Sequence, residues 1–135
     1  HSAGGHLAAA MAASERGGDD PVAAAVAISG LFDLEPLVHT SINGALGLDV
    51  ATARALSPVR WPGPVRKRVE AWVGGEESRE YHRQSRDLVR FWGEQGVDTE
   101  YAVVPGADHF TVIAGLADPE SALTRRLAAL ALGPA

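Results

Sequence analysis

Apolar residues recur along the chain in two ways, and the alternation between them predicts the architecture. Residues 3–14 are rich in alanine, the best helix former, and Leu7 and Met11 fall on one face at i, i+4. This predicts a helix with little bulk on any side, suited to close packing against a sheet. Gly17, with Arg16 before it, is the expected stop, and Gly18-Asp19-Asp20-Pro21 reads as a turn. Val22–Ser29 is then a continuous apolar run bounded by Pro21 and Gly30, which fits a strand buried on both faces.

Residues 31–64 lack a long period of either kind. Pro36, Asn43, Gly44, Gly47, Pro58, Pro62 and Pro64 punctuate them, and short helices are expected near 35–41 and 49–55, the second capped by Asp49. A cap-like excursion over 35–64, covering one end of a sheet, is the expectation. Regular structure resumes at Val65–Val73, which alternates charged and apolar residues and reads as a strand stopped by Gly74-Gly75. Residues 78–95 form an amphipathic helix with Tyr81, Leu88, Phe91 and Trp92 on one face. A short strand over Thr99–Val104, a helical stretch over 109–117 and a last helix over 120–131 complete the chain. Strands alternating with helices imply a parallel sheet flanked by helices, an α/β fold.

Composition narrows the function classes. The chain has 135 residues, 46% hydrophobic and 21% charged, with 15 Gly and 8 Pro. That is ordinary for one globular domain and excludes collagen-like or Pro/Gly-dominated chains. The net charge of −5 argues against an electrostatic nucleic-acid binder. There is no cysteine, which excludes disulfide scaffolds, Cys-ligated zinc and cysteine nucleophiles. No apolar run approaches the ~20 residues of a membrane helix, and no secretory leader is visible. The expected partner is a small-molecule substrate, the expected location cytoplasmic, and neither nucleic acid nor membrane is expected to bind. Because the chain opens on His1 in mid-motif, it is expected to be the C-terminal part of a longer protein.

Three places carry candidate chemistry. His1-Ser2-Ala3-Gly4-Gly5 runs directly into the first helix. A nucleophile elbow sets a serine on a tight, strained turn at the head of a helix, with small residues nearby so that backbones can approach. The Ala3 N–H would be an oxyanion donor there. The plainer alternative is that Ser2 caps the helix beside a flexible glycine pair. Gly74-Gly75-Glu76-Glu77 follows a strand, where open α/β sheets place functional groups, although a solvated acidic loop is the common fate of paired glutamates. Asp108-His109 follows the last strand and is open to a surface reading. Together, serine, carboxylate and histidine come in the chain order of an α/β-hydrolase triad, each beside a strand end.

His-Ser-Ala-Gly-Gly-His-Leu at 1–7, Ile-Ser-Gly-Leu-Phe-Asp-Leu at 28–34, Glu-Ser-Arg-Glu-Tyr-His-Arg-Gln-Ser at 77–85 and Asp-His-Phe at 108–110 resemble the α/β-hydrolase serine esterases. The resemblance extends to the arylformamidase, kynurenine formamidase-like, branch, and the 77–85 stretch, with Asp-Leu-Glu-Pro at 33–36 followed by Leu-Ser-Pro at 56–58, is its more specific part. The resemblance spans essentially the whole chain but only the C-terminal half of the family's catalytic domain, so the N-terminal strands would be missing. It implies Ser2 as nucleophile, Glu77 as triad acid and His109 as base. The resembling proteins usually carry Asp at the Glu77 position, so the glutamate must reach slightly further. Glu76 is the neighbouring competitor. Asp33 would belong to a structural turn, and Asp108 ranks last because it would point away from His109.

The resemblance further implies hydrolysis of a small carboxylic ester or an aryl formamide, such as N-formylkynurenine, through an acyl-enzyme and without a cofactor. Leu34, Leu37, Ile42 and Leu46 are candidates to line the pocket, though simple packing against the sheet is the plainer reading. His1 is expected to be buried beside the sheet, His6 structural, and His39 and His82 on the surface. None has a metal-ligand spacing, and no metal is expected. The alternative to an enzyme is a non-catalytic α/β fragment or interaction module. The 135-residue piece alone is expected to be inactive, with Ser2 relaxed out of the strained elbow for want of a preceding strand.

Overall fold

A computed structural model describes residues 1–14 and 20–133. The expected stop at Arg16 and Gly17, and the first half of the turn at 18–21, lie outside the described residues. Three strands, β1 (Ala24–Ile28), β2 (Arg68–Gly74) and β3 (Asp98–Val104), form a parallel sheet in the order β1-β2-β3. The helices are α1 (Ala3–Ala13), α2 (Asn43–Leu46), α3 (Val50–Ala55), α4 (Arg79–Glu94) and α5 (Ala122–Leu132).

The central strand explains the register. Every β2 residue after Arg68 is buried, because helices cover both faces and neighbours pair on both edges. Val69 and Ala71 point into one cluster with Ala9, Ala12, Phe32, Leu88 and Trp92, beneath α1 and α4. On the other face, Trp72 packs with Ile28, Ala107, Val112 and Leu123, beneath α5.

Helix α1 packs closely, as its alanines suggest, but with the opposite face. Gly5, Ala9 and Ala12 are buried, whereas Leu7 is 61% and Met11 41% exposed. The cause is steric. A Cβ on Gly5 would lie 2.8 Å from both the Gly30 Cα and the Ile28 carbonyl oxygen, so only the small-residue stripe fits the end of β1.

Four other expectations need correction. The second strand starts at Arg68 rather than Val65, because 65–67 are in a turn closed by the Lys67 amide on the Pro64 carbonyl. The segments at 35–39 and 111–117 are 3₁₀ rather than α-helical, and the first has Pro36 in its opening turn. An unexpected helix, α2, occupies the glycine-punctuated stretch. Gly47 closes it at φ 63°, and the Asn43 side chain binds the backbone of Val38 and Leu48. Phe91 lies 37% exposed beneath the Arg90 guanidinium rather than in the core with Leu88 and Trp92. Asp49 does cap α3, accepting from the Thr52 amide at 2.6 Å.

Glu70 is the least expected feature. Its side chain is fully buried in β2, on the face covered by α5. It accepts from Arg68 Nε at 2.7 Å, Arg126 Nε at 2.7 Å and Trp72 Nε1 at 3.0 Å. Arg68 in turn pairs with Asp98 and Glu100 on β3. Burial pushes the Glu70 carboxyl pKa up, but the donors from Arg126, Arg68 and Trp72 outweigh it and hold it below the ordinary value.

Candidate active site

Ser2 stands at the head of α1 with φ 55° and ψ −122°, a conformation rare for a residue with a side chain. The expectation of a relaxed Ser2 is therefore corrected. The Ser2 amide donates to the Ile28 carbonyl at the end of β1 at 2.9 Å, and the Ser2 carbonyl accepts from the Gly5 amide at 2.8 Å. These bonds fix the turn from both sides. Ala3 follows as the first helical residue, whose N–H has no intrahelical acceptor.

Glu77 lies three residues past β2. Its side chain is fully buried, and that of His109 is 24% exposed. The two loops that carry them are bound together through backbone. Gly75 donates to Val104 at 2.8 Å and Glu76 to Ala107 at 2.9 Å. Gly74 permits the approach, since a Cβ there would lie 2.4 Å from the Ala107 carbonyl oxygen.

His109 links the other two groups. Its Nδ1 lies 2.7 Å from Glu77 Oε2 and its Nε2 lies 3.1 Å from Ser2 Oγ. A carboxylate only accepts, so Nδ1 carries the proton and Nε2 is left to accept from the serine hydroxyl. The second carboxylate oxygen of Glu77 accepts from the Gly74 amide at 2.8 Å and from the Ser29 hydroxyl.

The competing carboxylates are engaged elsewhere. Asp33 pairs with Arg83 at 3.0 Å. Asp108 is exposed and caps the turn that follows it, and bonds from the Thr111 and Phe110 amides and the Thr111 hydroxyl hold its pKa below the ordinary value. Glu76 is exposed at the rim of a cleft of about 250 Å³, which Glu77, Ser78, Tyr81, Asp108, His109 and Phe110 also line. Leu34, Leu37, Ile42 and Leu46 do not line this cleft, and Ile42 and Leu46 are exposed.

The other histidines divide. His1 is exposed rather than buried, and its Nε2 donates to the His109 carbonyl at 2.8 Å, with the two rings 4.7 Å apart. His6 is half-buried and bonds the Leu31 carbonyl at 2.7 Å. His39 is exposed, while His82 is half-buried against the Tyr101 hydroxyl at 2.7 Å rather than free on the surface. Among the described residues, no group of three or more His, Asp or Glu side chains could hold a metal ion. Within the same limits, no helix is long and apolar enough to cross a membrane.

Two neighbours of the site were not singled out by sequence reasoning as site residues. Tyr81 stacks its ring 4.7 Å from that of His109, tilted by 34°. Burial and the Glu77 charge push its hydroxyl pKa above the ordinary tyrosine value, against a hydrogen bond with Ser2 that lowers it. The phenol therefore stays protonated at neutral pH. Ser29 is the other. The stretch 77–85 holds a partial signal for Tyr81, since Tyr81 and Gln84 are spaced at i, i+3 on α4. Gln84 is buried in α4 and accepts from the Phe32 and Asp33 amides at 2.7 and 2.9 Å, tying the loop after β1 to the same helix.

No family model matches this chain. A solved structure of a proposed thioesterase from Silicibacter sp. TM1040 superposes with a TM-score of 0.76 at 37% identity, over 93% of this chain and 47% of that one. The fold is that of the α/β-hydrolases. An acetyl ester-xyloside bifunctional hydrolase from Caldicellulosiruptor lactoaceticus, at 19% identity and a TM-score of 0.68, shares the same α/β-hydrolase fold over 93% of this chain and 52% of its own. In sequence, the kynurenine formamidase of Danio rerio is 28% identical over 94% of this chain and 46% of its own length. The chain thus spans about half the length of the relatives it matches. These likenesses are of fold, with sequence similarity that spans about half of each relative's length.

Proposed function

We propose that this chain carries the nucleophile, base and acid of a serine hydrolase that cleaves a small carboxylic ester or an aryl formamide. The observation that carries the reading is the placement of His109 between Ser2 Oγ at 3.1 Å and Glu77 Oε2 at 2.7 Å. Ser2 Oγ attacks the acyl carbonyl while His109 Nε2 takes its proton. Glu77 keeps the imidazole in the required tautomer and stabilises the imidazolium. The Ala3 N–H contributes to stabilising the oxyanion. His109 then returns the proton to the departing alcohol or amine as its bond to the acyl carbon breaks. Water, deprotonated by the same nitrogen, attacks the acyl-serine, and that proton passes from His109 to Ser2 Oγ as the acyl–oxygen bond breaks and the acid is released. No cofactor enters the sequence of steps.

The likeness to kynurenine formamidase supports N-formylkynurenine as the test formamide. The likeness to a proposed thioesterase supports a broader acyl range, because the attack on the carbonyl is the same. A strained serine with its hydroxyl on an imidazole has no use in a purely structural module, and strain of this kind collects at functional sites. In the full-length protein, Ser2→Ala is expected to abolish turnover of p-nitrophenyl acetate and N-formylkynurenine while the protein stays folded. Near wild-type turnover by the folded variant would defeat the reading.

A further inference from the structure

Three consecutive residues at the end of β1 hold the site. The Ile28 carbonyl accepts the Ser2 amide, Ser29 reaches Glu77, and Gly30 leaves room for Gly5. Ser29 is the one whose side chain does the holding. It is fully buried, and its backbone adopts φ 48°, left-handed for a residue with a Cβ. Its amide donates to the Trp72 carbonyl at 2.7 Å, so the backbone is pinned to β2 while the left-handed turn aims Oγ at Glu77 Oε1. The Gly74 amide donates to that same oxygen at 2.8 Å. Oε1 thus meets two neutral donors, and Oε2 is left facing His109 Nδ1 at 2.7 Å.

A glutamate side chain has three rotatable bonds and, unheld, samples several orientations of its carboxylate. We infer that Ser29 is a positioning residue of the hydrolytic site, whose hydroxyl fixes one oxygen of Glu77 so that the other is presented to His109. The inference rests on the Ser2, His109 and Glu77 reading above and extends it to a fourth side chain. Because the donor is neutral, it orients the carboxylate without cancelling the charge that acts on the imidazole. A serine that merely fills space at the strand end would affect stability and leave the chemistry of Glu77 alone.

Two substitutions separate these roles in the full-length protein. Ser29→Gly removes the hydroxyl and relieves the left-handed backbone, and Ser29→Ala removes the hydroxyl and keeps the backbone strain. Both are expected to lower kcat about tenfold with KM within about twofold, and to slow fluorophosphonate labelling by the same factor. In a Glu77→Gln background, where no carboxylate remains to be oriented, adding Ser29→Gly is expected to change kcat by less than about twofold. Wild-type kcat in folded Ser29→Gly and Ser29→Ala would overturn the inference, as would an undiminished tenfold loss in the Glu77→Gln background. Ser2→Ala is run beside them. If it abolishes labelling while the Ser29 variants label normally, this inference alone fails. If it retains labelling and turnover, the serine-hydrolase reading fails and takes this inference with it.

Discussion

Glu70 and Glu77 are seven residues apart, and both side chains are fully buried. They differ in what meets them. Glu70 faces two guanidinium groups and an indole N–H. Its charge is cancelled inside the sheet, where it joins β2 to α5. Glu77 meets an amide and a hydroxyl, both neutral, and then the imidazole of His109. Its contacts orient the carboxyl group with no guanidinium beside it. Burial alone therefore says little about what a carboxylate does. On the proposed function, the charge of its donors separates a side chain that holds the fold from one that acts on a neighbouring base.

Exchanging each glutamate for its amide tests this difference most strongly. Glu77→Gln should lower kcat by about 10⁴-fold, the scale expected when a triad base loses its orienting charge, with little change in Tm. Glu76→Gln, on the exposed rim, should stay within a few-fold of wild type. Steady-state hydrolysis on matched folded fractions measures both.

Glu70→Gln should do the reverse. Leaving Arg126 and Arg68 beside a neutral amide is expected to destabilise the protein by about 3 kcal/mol, read by denaturant unfolding, while kcat per folded molecule is retained. A fall in kcat matching that of Glu77→Gln would erase the distinction.

Gly74→Ala sharpens the comparison at the site end of β2. A Cβ there must displace the Ala107 carbonyl and with it the loop that carries His109. A shift approaching 1 Å is expected to lower kcat by about 10²-fold, with KM less affected.

The smallest effect concerns pH. The folded Glu70 carboxyl is held below its ordinary value of 4.5. A depressed carboxyl stabilises the fold fully above the unfolded value, and that stability is lost as pH falls through the folded one. Wild type should therefore lose stability below about pH 4.5, and Glu70→Gln should show a flatter profile there. Unfolding free energies measured between pH 3 and 6 test the slope.

The residues differ in how far sequence reasoning reached them. β1 and α4 were legible because each carries its own local signal, a proline- and glycine-bounded apolar run in one case and a strongly amphipathic period in the other. Ser2, Glu77 and His109 could be nominated because each sits in a short motif at a strand or helix end. Glu70 was not legible. A charge alternating with apolar residues reads as a solvated face, and its burial depends on Arg126, 56 residues further on. Ser29 was hidden for the same reason, since its role depends on Glu77, 48 residues away. The outward turn of Leu7 and Met11 reverses what the apolar pattern suggests, because the close approach at Gly5 and Gly30 outweighs side-chain bulk.

The most direct test is to map and time covalent labelling by a fluorophosphonate in the full-length protein, for wild type, Glu70→Gln and Glu77→Gln at equal folded fraction. A single adduct on Ser2 is expected, formed at the wild-type rate in Glu70→Gln and slowed by orders of magnitude in Glu77→Gln. An adduct on another residue, or equal labelling rates in the two glutamine variants, would contradict it.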